Sequence, residues 1–116
     1  MKLEMSSENG WENLANTIVL QAAIDYRHSL RILAKHSPFR NYSGSTQYYL
    51  RSHVYKLNSL EHFFDSEYYS ILTHVPPDLI VNHLRSEVDY EAVKLWRRKQ
   101  DWEGISNAVR KRSRRY

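Results

Sequence analysis

The chain has 116 residues, a formal net charge of +4, 13% aromatic side chains and no cysteine. One domain is the natural count at this length and buries roughly 65% of the surface its unfolded form exposes, while the lack of thiols excludes disulfide frameworks, thiolate nucleophiles and thiolate zinc sites. Residues 1–93 hold 8 Lys or Arg against 11 Asp or Glu, a balance of −3, whereas residues 94–116 hold 9 against 2, a balance of +7, so the positive field belongs to the C-terminal end.

Residues 1–10 carry Lys2, Glu4 and Glu8 and no apolar run, so no signal peptide is expected there. Leu14 to Ile24 is the most apolar stretch, but Asn16, Thr17 and Gln21 interrupt it and Asp25 follows, so it is too short and polar to span a bilayer. No membrane partner is expected, and a cytoplasmic location fits the absence of cysteine. Between three glycines and three prolines the apolar residues recur at helical intervals of three and four, with no alternation to suggest a sheet.

The first helix is predicted from Asn9, as cap, with Glu12 three residues on. Trp11, Leu14, Ala15, Ile18, Ala22, Tyr26, Ser29 and Leu33 line one face, Val19, Ala23 and Leu30 widen it, and Leu20 and Ile24 fall partly outside it, so the first three turns read as buried on more than one side. The helix ends near His36, because Pro38 disfavours helical geometry at Ser37. A surface loop spans residues 37–46. A second helix is predicted from Ser45 to Phe64, with Leu50, Val54, Leu57, Leu60 or Glu61, and Phe64 on one face. Asp65 or Ser66 caps a short helix with Tyr68, Ile71 and Leu72, which Pro76-Pro77-Asp78 stops.

Another helix starts near Pro77, a residue favoured in a first turn, and carries Leu79, Ile80, Leu84 and Val88. Pattern alone leaves open whether it continues through Asp89 or restarts there with Tyr90, Val93 and Trp96. Asp101 caps a last helix with Trp102, Ile105 and Val109 on one side, and Arg110 to Arg115 read as frayed or disordered when free. The fold class is therefore all-α: a compact bundle of about four or five helices, with two long N-terminal helices and a basic C-terminal helix and tail. It divides into an N-terminal arm (1–10), a helical core (11–88) and a basic extension (89–116).

Three blocks carry a likeness: Trp11-x-x-Leu14-Ala15-Asn16-x-Ile18-Val19-Leu20-Gln21-Ala22-x-x-Asp25-Tyr26-Arg27, Phe63-Phe64-x-Ser66-Glu67-Tyr68-Tyr69-x-x-Leu72-Thr73, and Leu79-Ile80-x-x-x-Leu84-Arg85-x-Glu87-Val88. Together they resemble a family of small helical proteins carried by phages and mobile elements of Firmicutes. The resemblance covers about residues 11–88 and implies a prophage setting and a compact helical core. That family has no established activity, so no catalytic role is implied. The linker from Ser37 to Thr46 is longer and less basic than the family's, and residues 89–116 look like an addition that specialises this member. Accessory proteins in such settings act on recombination, replication, transcription or host defence, and some resemble anti-CRISPR proteins in size and composition.

No residue pattern points to catalysis, to a metal or to a cofactor. The six histidines, His28, His36, His53, His62, His74 and His83, include no pair three or four residues apart, the spacing that places two imidazoles on one helical face, and read as loop and surface residues. Glu87 and Glu91 would sit one turn apart on a continuous helix, but Arg85 and Lys94 can neutralise them. Glycines at 10, 44 and 104 make no phosphate loop. Asp25, Arg27, Glu67 and Arg85 read as an ion-pair network between helices that Tyr26 joins through its hydroxyl. Tyr42, Tyr48, Tyr49 and Tyr55 lie among Arg40, Arg51 and Lys56, a composition suited to core or interface and, secondarily, to base stacking.

The main functional signal is the C-terminal end. Lys94, Arg97 and Arg98 at i, i+3 and i+4 are predicted to form one cationic ridge, with Lys99 beside it and Arg110, Lys111, Arg112, Arg114 and Arg115 beyond, and Trp102 packs the last helix in place. A helix-turn-helix reading of residues 79–112 lacks a small residue in the turn. The expected function is thus a non-enzymatic accessory protein that binds nucleic acid or a nucleoprotein complex largely through phosphates. Two alternatives come from other classes: a protein-directed inhibitor of a host defence nuclease, and a structural homodimer or larger homo-oligomer whose interface is aromatic.

Overall fold

The computed structural model of the chain describes residues 7–100. These residues fold as an all-α bundle of α1 (Ser7–Lys35), α2 (Gly44–Phe64), α3 (Glu67–Leu72) and α4 (Pro77–Ser86). A fifth helix, α5, spans 90–100, and no strand occurs among the described residues. No described helix is long and apolar enough to cross a membrane.

Local chemistry sets the boundaries. Helix α1 starts two residues before Asn9, which therefore lies in its first turn, and stops before the Ser37-Pro38 pair that disfavours further helix. Ser43 caps α2, its hydroxyl accepting the Thr46 N–H at 3.4 Å. Ser66 caps α3 in the same way, accepting the Tyr69 N–H at 3.2 Å. Pro77 opens α4, where its missing N–H costs nothing. After Ser86 the chain turns through Glu87 N–H to the Leu84 carbonyl at 3.3 Å and restarts with Ala92 N–H on the Asp89 carbonyl at 3.2 Å. The alternative left open at Asp89 is thus decided as a break.

The core lies between α1 and α2. Tyr26, Leu30 and Leu33 pack with Leu50, Val54, Leu57 and Phe64, and the Tyr26 ring meets Phe64 edge to face at 5.8 Å. Val93 and Trp96 of α5 belong to the same cluster, so the core runs past residue 88. Trp96 Nε1 donates to the carbonyls of Leu33 at 3.1 Å and His36 at 2.7 Å. These carbonyls lie at the end of α1, where the helix itself supplies no donors, so Trp96 both fills the core and caps α1.

Burial departs from the sequence pattern in four places. The early turns of α1 are not covered on several sides: Trp11, Leu14, Leu20 and Ile24 are exposed, because the other helices approach one side only. In α3, Tyr69 and Leu72 point inward while Tyr68 and Ile71 face out, and in α4 Leu79 is exposed. His53, read as a surface residue, is 2% exposed and shares a buried hydrogen bond of 2.9 Å between Nδ1 and Ser29 Oγ.

Candidate nucleic-acid interface

A polar hub fixes where the basic helix lies. Glu61 occupies an inward-facing position of α2, four residues after Leu57 and three before Phe64. Its Oε2 accepts from Tyr26 Oη at 2.7 Å and from Arg85 at 3.0 Å, and it pairs with the Arg97 guanidinium. Arg85 Nε also donates to Tyr26 Oη at 3.1 Å and Arg97 Nη1 to Tyr90 Oη at 3.2 Å, while the Arg85 guanidinium lies 4.6 Å from the Tyr90 ring centre. Four helices thus meet on one carboxylate.

Burial alone would raise the Glu61 pKa, but the hydrogen bonds from Arg97 and Tyr26 and the Arg97 charge outweigh it and hold the carboxyl below its ordinary range. For Arg97 burial opposes the charge, and its bond and charge contact with Glu61 more than restore it. Burial, then the hydrogen bond to Glu61, pushes the Tyr26 phenol upward. At working pH the hub therefore holds two guanidinium cations on one carboxylate.

Arg97 is consequently turned inward, with 23% of its side chain exposed, and the predicted ridge of Lys94, Arg97 and Arg98 is divided. Lys94 faces out, bonds Glu91 at 3.1 Å and lies over the Tyr90 ring. Lys99 donates to the Pro38 carbonyl at 2.8 Å and sits above the Trp96 ring at 5.3 Å. Arg98 is exposed and pairs with no carboxylate among the described residues. Arg110, Lys111, Arg112, Arg114, Arg115 and Trp102 lie outside the described residues.

The anticipated network of Asp25, Arg27, Glu67 and Arg85 does not form as one cluster. Arg85 uses Glu61, whereas Arg27 pairs with Glu87 at 3.0 Å, with Arg31 at 3.7 Å and His83 at 3.2 Å from the same carboxylate. Asp25 accepts from Gln21. Tyr26 does supply its hydroxyl to an ionic network, though around a different acid.

A second basic element comes from a stretch whose charge the whole-segment count conceals. From Tyr26 to Leu60 the sequence contains Arg27, Arg31, Lys35, Arg40, Arg51 and Lys56 and no Asp or Glu. Its turn at residues 36–43 folds against α5. Trp96 holds the His36 carbonyl, Lys99 holds that of Pro38, and the Tyr42 ring stacks on Trp96 at 6.2 Å. Arg40 is exposed on this turn and, like Arg98, has no carboxylate partner among the described residues. Among the described residues of α5 the last acid, Glu91, precedes Arg98 by about 10 Å of helix rise, and in the sequence Asp101 and Glu103 follow it. Helix α2 begins on the same turn with no acid in its first turn, which leaves its positive dipole end uncompensated. Lys35 does not join this surface cleanly, for it lines a shallow cleft with Glu87 and Asp89.

The tyrosines separate by environment. Tyr42 is turned onto Trp96 and His36 and donates to the Ser37 carbonyl at 2.8 Å. Tyr49 is about half exposed and packs edge to face on His53 at 4.7 Å. Tyr48 and Tyr55 stand out from α2, 78% and 62% exposed. Sequence reasoning did not single out Phe39, which is 79% exposed on the turn beside Arg40.

Comparisons with protein-family models, with curated proteins and with solved structures find no match to this chain.

Proposed function

We propose that this chain is a non-enzymatic accessory protein of a phage or mobile element that binds nucleic acid, or a nucleoprotein complex, through its basic C-terminal segment together with the turn at residues 36–43. One observation carries the reading: Arg98 on α5 and Arg40 on the turn are exposed, lack carboxylate partners among the described residues, and belong to elements locked together through Trp96, Tyr42 and Lys99. Exposed cations on a fixed frame attract phosphate, and binding of this kind weakens steeply as salt rises. Of the residues first expected to touch phosphate, Arg97 is reassigned to holding α5, and Lys99 mainly to holding the turn. Arg98, Lys94 and the five cations from Arg110 to Arg115 remain as the contacts. The phage or mobile-element setting rests on the likeness of the three sequence blocks alone.

A fluorescence-anisotropy titration tests this reading, with labelled DNA and RNA against the full chain and against a truncation ending at Gln100. Salt-sensitive binding that weakens on truncation supports it; absence of binding at low salt defeats it. A second reading, contact with a protein such as a host nuclease or another copy of this chain, is favoured by Trp11 and Ile71, which stand exposed where α1 meets the end of α3. Light scattering distinguishes a homodimer from a monomer on that reading.

A further inference from the structure

Phe39 has no structural reason to be where it is. A phenylalanine at 79% exposure contributes almost nothing to folding, since apolar side chains stabilise by leaving water. Yet the turn that presents it is braced on every side. Its own N–H donates to Ser37 Oγ at 3.3 Å and the Arg40 N–H to the Ser37 carbonyl at 3.3 Å. Tyr42 Oη bonds that same carbonyl, and the neighbouring Pro38 is buried with its carbonyl held by Lys99. The ring is thus a large apolar face held out on a fixed support, flanked in sequence by Arg40 and by Lys99 of α5, which holds the adjacent Pro38 carbonyl. No carboxylate occurs between Tyr26 and Leu60, so an acidic ligand meets no repulsion from this turn.

An exposed aromatic ring set among cations matches the chemistry of an unpaired base attached to phosphate. The ring offers a stacking face and the guanidinium group beside it holds the backbone. In a duplex the bases are already stacked on one another and present only their edges, so Phe39 has no face to meet there. Tyr48, 78% exposed and five residues beyond the cap Ser43, supplies a second ring on the helix that leaves the same turn. We infer that the ligand of this surface is single-stranded nucleic acid, with Phe39 as the principal base-stacking residue and Tyr48 as an auxiliary one. This deepens the proposed function and rests on it.

The experiment uses the full chain and three fluorescein-labelled probes: an oligothymidylate of about 20 nucleotides, longer than the site sizes usual for such surfaces, an abasic strand of the same length, and a duplex of the same length. The wild-type chain should bind the oligothymidylate most tightly. Phe39→Ala should weaken that complex about tenfold or more, Phe39→Trp should restore it, and binding to the abasic strand and the duplex should be unaffected by either substitution. Circular dichroism should show both variants folded as wild type, because the ring is exposed. If Phe39→Ala binds oligothymidylate as wild type does, or if abasic and normal strands bind equally, base stacking is overturned while phosphate binding stands. If none of the probes binds at low salt, the proposed function falls with it, and the exposed ring is left to a protein partner.

Discussion

Replacing Glu61 with glutamine removes the charge on which four helices converge while keeping the shape of the side chain. Two guanidinium groups, 29% and 23% exposed, and the Tyr26 hydroxyl then face a neutral amide. Removing one partner of a fully buried ion pair costs about 3–5 kcal/mol. Glu61 itself is 26% exposed, and water reaching the abandoned cations reduces the cost to about 2–3 kcal/mol. For a domain of this size that lowers Tm by about 10–15 °C. The acid dependence gives a second handle. The folded Glu61 carboxyl titrates below its ordinary value of 4.5, so its contribution is fully present above that pH and is lost as pH falls through the folded value. The variant should therefore lose less stability than wild type on acidification. Thermal melts followed at the helical circular dichroism band, over a pH series, measure both effects. Glu91→Gln is the control, because its pair with Lys94 is exposed and its loss should go unnoticed. If Glu61→Gln melts within about 2 °C of that control, the hub does not hold the helices as described.

Three further outcomes follow from the same geometry. Trp96→Phe keeps most of the buried ring but removes the donor for the Leu33 and His36 carbonyls. It should cost about 1–2 kcal/mol in urea melts, with an unchanged stability counting against a capping role. His53 is held neutral by burial first and then by the charges of Lys56 and His28, so its pKa lies below 6.5. The unfolded chain takes up this proton first, and stability attributable to His53 should decline as pH drops below about 6.5 until the folded value is reached. A His53→Phe variant that shows the same decline between pH 7 and 5 would assign the effect elsewhere. Leu20→Ser and Ile24→Ser, on the exposed side of α1, should each change stability by less than about 0.5 kcal/mol, whereas losses of about 2 kcal/mol or more would indicate a covering surface in solution.

The sequence specifies the helices well and their covering less well. Most helix limits were legible because the signals are local: Ser66 as a cap, Pro77 in a first turn, Pro38 and Pro76 as stops, whereas Ser43, which caps α2, was read as part of the loop. The early part of α1 misled because Leu14, Leu20 and Ile24 satisfy a helical apolar pattern without stating which neighbours arrive, and only one side receives them. Glu61 and His53 both stand in the inward register of α2, between Leu50 and Phe64. A polar side chain at such a position is the available signal for a buried network, yet its partners Arg85 and Arg97 are more than twenty residues away in sequence and cannot be assigned from spacing.

The candidate interface shows the same division. The charge of residues 94–116 was legible by counting, but which cations point outward depends on tertiary contacts: one turn of α5 carries Arg97 into the hub and Arg98 into solvent. The contribution of the turn at residues 36–43 was hidden because acids elsewhere in residues 1–93 mask its positive charge in the sum.

The salt dependence of oligonucleotide affinity, compared between the wild-type chain, Arg98→Ala and Arg40→Ala, decides whether the turn and α5 hold phosphate. Each exposed arginine that neutralises a phosphate contributes a little under one to the slope of log affinity against log salt, so each substitution should weaken binding and make that slope shallower by about that amount. Slopes and affinities that stay unchanged in both variants, or an affinity indifferent to salt, would contradict a phosphate-binding surface formed by the turn and α5.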